Sequence, residues 1–418
     1  MRAFKRTLKK LLPPSAVERF RAGRELFWKT ASHLTPKRKY RPGKYPAGVN
    51  LAGYVRAEMG LGQSCRCVAE ALAAANAPFS VIDYHYGVCA RLGDDAWDHK
   101  MEGIRYAANL TVVNADQMHY AIAHLGAAYW NGRYQIAHYV WELPEYPREW
   151  VKVNEIFDEI WTPSRFCTET ISRAVGKPVY TIPYVVAPKI TQKRDRAYFG
   201  LPRDRFLFLC MFDVNSVMER KNPIGVIRAF QKAFGASSPE AALVIKVNDF
   251  RGDPEARACL ETLVRGCDNI CLMDKILSRN DVNALIDVCD CFVSLHRSEG
   301  FGFVMAEAMY LGKPVIATNW SANTDYMDET NSCPVGYRLV PITADYGIYR
   351  KGQVWADPDE SHCAEYMRRL TRDPEYRQRI SREGRKTILE KYSAAAAAEA
   401  VGARLSDIFG EEWKAPSR

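Results

Sequence analysis

The chain has 418 residues, 47% of them hydrophobic and 26% charged, which suits two or three soluble domains with full cores. No apolar run reaches the ~18 residues of a spanning helix, and no secretory h-region follows Met1. The net charge of +9 is uneven, because residues 1–44 hold fourteen Lys/Arg against two Glu, a net of +12, and the remainder sums to −3.

That basic arm reads as helical. Phe4, Leu8, Leu11 and Leu12 make an apolar stripe among Lys and Arg, and Pro13-Pro14 ends it. Ser15-x-x-Glu18 is a capping box for a further helix to about Lys29, with Phe27 and Trp28 suited to a headgroup interface. A basic amphipathic helix predicts contact with an anionic membrane surface, hence a cytoplasmic protein on the inner face of the membrane. A disordered or locally packed basic tail is the alternative. No RNA- or DNA-binding module pattern is present, so no nucleic acid is expected. The twelve cysteines include two C-x-C pairs, Cys65/Cys67 and Cys289/Cys291, but no paired C-x-x-C knuckles. They read as small core residues in a reducing compartment rather than a zinc site.

After a Pro/Gly-punctuated linker, Arg38 to Pro46, strands alternate with helices. Strands are predicted near 48–52, 79–84, 110–113, 135–140, 158–162 and 179–183. A polar, basic stretch from Val185 to Gly200 reads as a hinge. A second series is predicted near 206–212, 242–247, 269–273, 291–295 and 314–318. This is α/β texture: two doubly wound Rossmann-like units with ligands expected at the carboxyl ends of the strands. The division is 1–46 for arm and linker, 47–190 and 191–385 for the two units, and 386–418 for a terminal helix.

Candidate site residues are spread along both units. Gly60 and Gly62 form a Gly-x-Gly loop ahead of a helix at Cys65 to Ala74, which also holds Arg66. His138 and Glu142 lie in Ile136-Ala137-His138-Tyr139-Val140-Trp141-Glu142-Leu143-Pro144, where a strand-end carboxylate can orient a hydroxyl. Arg220 and Lys221, in Glu219-Arg220-Lys221-Asn222-Pro223, come after the strong strand Phe206 to Phe212 and can neutralise a diphosphate. Lys246 and His296 sit at strand ends. The most informative stretch is Ser298-Glu299-Gly300-Phe301-Gly302-Phe303-Val304-Met305-Ala306-Glu307-Ala308, a strand-to-helix loop. Its glycines admit phosphates to a helix start. Glu307, flanked by Ala and Met, needs a polar partner such as a ribose diol.

This last stretch resembles the donor-site motif of retaining GT-B glycosyltransferases of the family 4 type, the glycosyl transferases group 1. The resemblance implies a GT-B fold with a central cleft and a terminal helix returning to the first domain. It implies that Glu299 contacts sugar hydroxyls, that Gly300, Phe301, Gly302 and Phe303 support sugar and phosphate, and that Glu307 binds ribose. The first glycine loop of the family corresponds to Gly60 and Gly62. Asp213 stands where many members put a Gly-Arg pair, so the arginine role passes to Arg220, beside Lys221. Trp141-Glu142-Leu143-Pro144 and Trp161-Thr162-Pro163-Ser164 resemble the polysaccharide-assembly branch.

The activity implied by the resemblance is retaining transfer of a hexosyl group from a nucleotide sugar, with mannose from a GDP donor as the suggested case, to a lipid-linked or polysaccharide acceptor. No cofactor and no metal are expected: Asp357-Pro358-Asp359 has Asp-x-Asp spacing but reads as a late loop. The alternatives are a nucleotide-sugar epimerase of GT-B fold, a glycogen-synthase-like polymerase and a non-catalytic membrane-associated partner protein.

Overall fold

The computed structural model describes residues 39–410 apart from 89, 249, 251 and 252, together with 29, 30, 32 and 413. The predicted arm helices lie almost wholly outside the described residues. Among those described, no helix is long and apolar enough to cross a membrane.

Six short strands form the first sheet: β1 (Val49–Gly53), β2 (Phe79–Asp83), β3 (Ala108–Val112), β4 (Tyr134–His138), β5 (Glu159–Thr162) and β6 (Val179–Thr181). Their order is β2-β1-β3-β4-β5-β6 and every pairing is parallel. The second sheet comprises β7 (Phe206–Asp213), β8 (Ala241–Asn248), β9 (Ile270–Asp274), β10 (Cys291–Ser294), β11 (Val315–Thr318) and β12 (Cys333–Val335). It runs β12-β11-β10-β7-β8-β9, again all parallel. Near-continuous apolar runs such as Phe206-Leu207-Phe208-Leu209-Cys210 belong in sheets covered on both faces, which parallel pairing requires. Each sheet reverses its winding once, between β1 and β3 and between β7 and β10. Such switch points open a crevice at the carboxyl ends of the strands.

All eleven predicted strands are present, with ends within two residues of expectation. Three strands have no counterpart in the sequence reading. β12 is three residues long with Pro334 at its centre, too short to show a period. β13 (Tyr337–Pro341) and β14 (Val354–Pro358) form an antiparallel hairpin. β13 is largely exposed and lacks the alternation that marks a half-buried strand. Asp357 and Pro358 therefore end a strand rather than lie in a loop, and Asp359 caps the helix Glu360–Arg372.

The two units share one core. Leu51, Val68 and Leu72 of the first belong to the same buried cluster as Leu207, Val244 and Phe292 of the second. The terminal helix Ala394–Phe409 packs on the helix Gly60–Ala74 of the first unit. Its buried positions Ala397, Val401, Leu405 and Phe409 recur every fourth residue and make one stripe. Ser393 caps its start by accepting from the Ala396 amide at 3.2 Å. Across the joint, Arg404 pairs with Glu159 of β5 at 2.6 Å, and Tyr134 and Trp161 also donate to that buried carboxylate. The front of the predicted hinge is not a solvent loop. Val185 and Val186 are buried, the Cys67 thiol donates to the Val185 carbonyl, and the Val186 amide donates to the Tyr392 carbonyl.

Truncating Arg404 leaves the Glu159 charge buried without its cation. Arg404→Ala is expected to cost about 3 kcal/mol in urea unfolding. Adding Glu159→Gln to it should recover part of that loss. An unchanged midpoint in the single variant would show that the pair does not hold the helix.

Candidate functional site

The site is assembled at the switch point of the second sheet. After β7 the chain makes a short turn and then the helix Met218–Lys221, which places Arg220 and Lys221 side by side. Val217, a β-branched residue, takes φ 63° just before this helix, and Asn222, at φ 51°, closes it. A positive φ is rare for a β-branched residue such as Val217, whereas Asn tolerates it. Asn222 is held there by donating to the Leu295 carbonyl and accepting from the Gly225 amide, and so caps the next helix, Pro223–Phe234. After β10 the chain runs through His296 and Arg297 to Ser298 and Glu299. The Arg297 amide donates to the Arg220 carbonyl at 2.7 Å, which ties the two loops together.

Glu299 is the centre of charge. Its carboxylate pairs with Arg220 at 3.3 Å and accepts a hydrogen bond from Lys221. Burial alone would raise its pKa, but Lys221, Arg220 and His296 outweigh that and hold it down to about 2, so it is an anion at any physiological pH. Burial lowers the Lys221 pKa; Glu299 works against that shift and Arg220 reinforces it. Backbone contacts fix the carboxylate further: the Glu299 amide donates to the Ser321 hydroxyl at 2.8 Å, and the Ala322 amide to the Glu299 carbonyl. Ser321 itself adopts φ 73°.

The first unit contributes directly. The Ser298 hydroxyl donates to the Glu142 carbonyl, and the Ser164 hydroxyl to the Gly300 carbonyl at 2.9 Å. A Cβ on Gly300 would stand 2.3 Å from Val140 Cγ1, so glycine is what lets the two units approach here. Glu142, half-buried on the loop after β4, faces Arg220, Glu299 and Lys221 across the joint. Burial raises its pKa, Arg220 and Lys221 lower it, and Glu299 raises it further. Four candidates from distant stretches, Glu142, Arg220, Lys221 and Glu299, thus form one cluster of two acids and two bases.

Glu307 lies in the first turns of the helix Phe303–Tyr310, whose start is capped by Gly302 at φ 86°. Glycine is favoured here by the positive φ, and a Cβ would also crowd the Tyr326 hydroxyl at 2.9 Å. Glu307 is buried. One carboxylate oxygen accepts from Arg279 and the other has no hydrogen-bond partner. A buried, unpartnered acceptor is costly unless a ligand hydroxyl satisfies it.

Other candidates are placed differently from expectation. Gly60 and Gly62 are not in a loop: the helix starts at Gly60, and Gly62 is small because a Cβ would stand 1.9 Å from the Ala57 carbonyl oxygen. Arg66 is occupied by the Val55 and Ala57 carbonyls and by Asp94, which holds that turn. His296 has no nitrogen to offer a ligand. Its Nδ1 bonds Ser294 and its Nε2 faces Asn323 and the Trp320 carbonyl, so it positions the loop that carries Ser321. Phe301 is core, packed on Tyr184, Tyr326 and Tyr392. Phe303 stacks on Tyr184 at 4.9 Å.

His138 is fully buried at the end of β4 and stacks on the same Tyr184 at 5.5 Å. Burial drives its pKa to about 4, so it is neutral, and neither ring nitrogen has a hydrogen-bond partner. Lys246 is buried near the end of β8 and donates to Asn248, which in turn donates to Asp213; burial lowers its pKa to about 8. Arg279 and Ser321 escaped the sequence reading. Arg279 opens a helix, where a cation is disfavoured, and that misfit was the available signal. Among the described residues, no group of three His, Cys, Asp or Glu side chains is placed to hold a metal.

Two parallel doubly wound units, with an acid–cation cluster at their joint, define a GT-B fold. Residues 192–387, a span that covers the second unit, match the family model described as Glycosyl transferases group 1. Solved structures agree on the fold. Anabaena HepE in complex with UDP-glucose is 12% identical with a TM-score of 0.62, over 86% of this chain and 99% of that one. Sucrose-phosphate synthase from Thermosynechococcus elongatus is 16% identical with a TM-score of 0.64, over 88% and 99%. No curated protein matches the chain by sequence.

The close approach at Gly300 can be tested. Gly300→Ala is expected to lower glycosyl transfer by about 10²-fold, because a displacement of an ångström at a reacting centre costs that much. Val140→Ala in the same chain should restore part of it. A single variant as active as wild type would mean the loop tolerates the shift.

Proposed function

We propose that this protein is a retaining hexosyltransferase that moves a sugar from a nucleotide diphosphate donor to a lipid-linked or polysaccharide acceptor. The observation that carries the reading is the pairing of Glu299 with both Arg220 and Lys221 at the carboxyl ends of β7 and β10. A carboxylate that balances a buried arginine and a half-buried lysine competes with any diphosphate for them. Donor binding then transfers Arg220 and Lys221 to the phosphates, helped by the helix start at Phe303, and leaves Glu299 to accept from sugar hydroxyls.

The remaining roles rest on the chemistry of each group. The unpartnered oxygen of Glu307 accepts from a ribose hydroxyl, while Arg279 pairs with the other oxygen. The sugar C1–O bond to the diphosphate breaks and the acceptor oxygen bonds C1 on the same face. The acceptor proton passes to the departing phosphate oxygen. Arg220 and Lys221 neutralise the leaving charge without a metal. Glu142 orients the acceptor hydroxyl, and closure of the two units excludes water. His138, buried and neutral, can exchange hydrogen bonds with a sugar hydroxyl but does not supply charge. The resemblance suggests GDP-mannose as donor. Because HepE is solved with UDP-glucose, UDP sugars belong in the same screen. The basic arm, residues 1–44, is proposed to hold the enzyme at an anionic membrane surface.

Three outcomes test this. Glu299→Gln should reduce kcat by at least ~10²-fold while binding nucleoside diphosphate as well as wild type or better, since the competitor for Arg220 and Lys221 has lost its charge. Full activity in that variant would sink the reading. Glu307→Ala should weaken nucleoside diphosphate binding about tenfold in calorimetry, and equal affinity would remove the ribose role. Product analysis separates transfer from epimerisation, because an epimerase releases an isomerised nucleotide sugar without needing an acceptor.

A further inference from the structure

Between β13 and β14 the second unit sends a segment, residues 342–353, onto the first. Its base is closed by backbone bonds from Ile342 to Gln353 at 2.7 Å and from Gly352 to Ile342 at 2.9 Å. Its tip is a tight turn in which Tyr346 and Tyr349 exchange both backbone hydrogen bonds, with Gly347 at φ 61°. Side chains lock it: the Lys351 amide donates to Asp345 and the Arg350 amide to Gln353. Ile342 and Tyr349 are buried in the same cluster as Trp141, Leu143 and Tyr146 of the first unit. Tyr346 stacks on Trp355. At its root, Ala356 of β14 donates to the carbonyl of Arg297, two residues from Glu299, and Arg297 pairs with Asp357 at 2.8 Å.

This arrangement delivers one side chain to the reacting cluster. Tyr349 lies flat on Trp141, with centroids 5.7 Å apart and planes 30° apart, and the Arg220 guanidinium sits over its ring at 5.7 Å. Trp141 is the chain neighbour of Glu142, so the stack brings Tyr349 beside the Glu142 carboxylate, and the two groups perturb each other's protonation. Tyr349 is buried, so the hydroxyl needs such an acceptor. Contacts with Trp141 and Arg220 hold the ring and so fix where the hydroxyl lies.

We propose that Tyr349 is a positioning residue for the acceptor side of the site: its hydroxyl donates to Glu142 and holds that carboxylate toward the incoming acceptor hydroxyl, so that the 342–353 segment completes the active site. This rests on the role given to Glu142 above. The groups that face Glu142 are Arg220, Lys221 and Glu299 from the second unit, Tyr349 from the segment, and the Cys167 thiol from the first unit. Only the charged form of Glu142 accepts from an acceptor hydroxyl on either oxygen. Burial raises its pKa, whereas the Tyr349 hydrogen bond stabilises the charged form and lowers it. Removing that bond therefore moves Glu142 protonation to higher pH.

The test is the pH profile of kcat/KM for the acceptor. Tyr349→Phe keeps the ring stacked and removes only the hydroxyl. It is expected to shift the acidic limb upward and to raise the acceptor KM about tenfold, with donor KM and melting temperature close to wild type. Glu142→Gln should abolish that limb, and Tyr349→Phe added to it should cost nothing more. If Glu142→Gln retains the limb, the role of Glu142 itself fails. If it loses the limb but Tyr349→Phe leaves limb and acceptor KM unmoved, the proposal is overturned, whatever happens to the melting temperature.

Discussion

Everything at the centre of this molecule depends on one balance of charge: a buried glutamate, Glu299, facing an arginine and a lysine that are themselves largely out of water. None of the three would be tolerated alone, since an unpaired buried ion costs several kcal/mol. Together they form a unit that a diphosphate can enter by exchange, one anion replacing another against the same two cations. The surroundings are organised around that exchange. The Arg220 carbonyl is bonded by the Arg297 amide, the Glu299 amide is bonded by Ser321, and His296 spends both ring nitrogens on neighbouring loops. Residues that look catalytic in type thus act as struts for the few that face the cluster.

The joint between the two units is a second constraint. Ser298 bonds the backbone at Glu142, Ser164 bonds the backbone at Gly300, and Arg165 pairs with Asp325 at 3.0 Å. These contacts join the loop that carries Glu299, rather than a remote rim, to the first unit. The β13–β14 hairpin and the returning helix Ala394–Phe409 cross the same joint in other places. The loop that carries Glu299 is therefore mechanically continuous with the first unit through Ser298 and Gly300.

Glycine has different meanings at different places. At Gly302 it supplies a left-handed turn that starts a helix, and at Gly300 it admits a neighbouring side chain. At Gly62 it admits a neighbouring carbonyl, with no ligand implied. All three look alike in a Gly-x-Gly string. Only the position of the nearest foreign atom tells them apart, and that atom comes from elsewhere in the chain.

The amino-acid sequence by itself determined eleven of the twelve parallel strands, all but the three-residue β12, because a parallel strand is buried on both faces and so leaves a run of apolar residues bounded by turn formers. It also marked Glu142, Arg220, Lys221 and Glu299, because charged residues on the loops that follow such runs lie toward the carboxyl ends where ligands bind, and Glu307, because a carboxylate among Ala and Met needs a polar partner. Tertiary structure alone decided which of these meet. The Glu142–Arg220–Lys221–Glu299 cluster spans two domains, and no local period encodes a contact 157 residues apart, as between Glu142 and Glu299. It alone also showed that His296, Phe301 and Arg66 are consumed by packing or backbone bonds, that Arg279 shares Glu307, and that an unpatterned stretch carries Tyr349 into the site. Burial and hydrogen-bond partners are properties of the folded chain, and they separate a side chain that can still accept a ligand from one already satisfied.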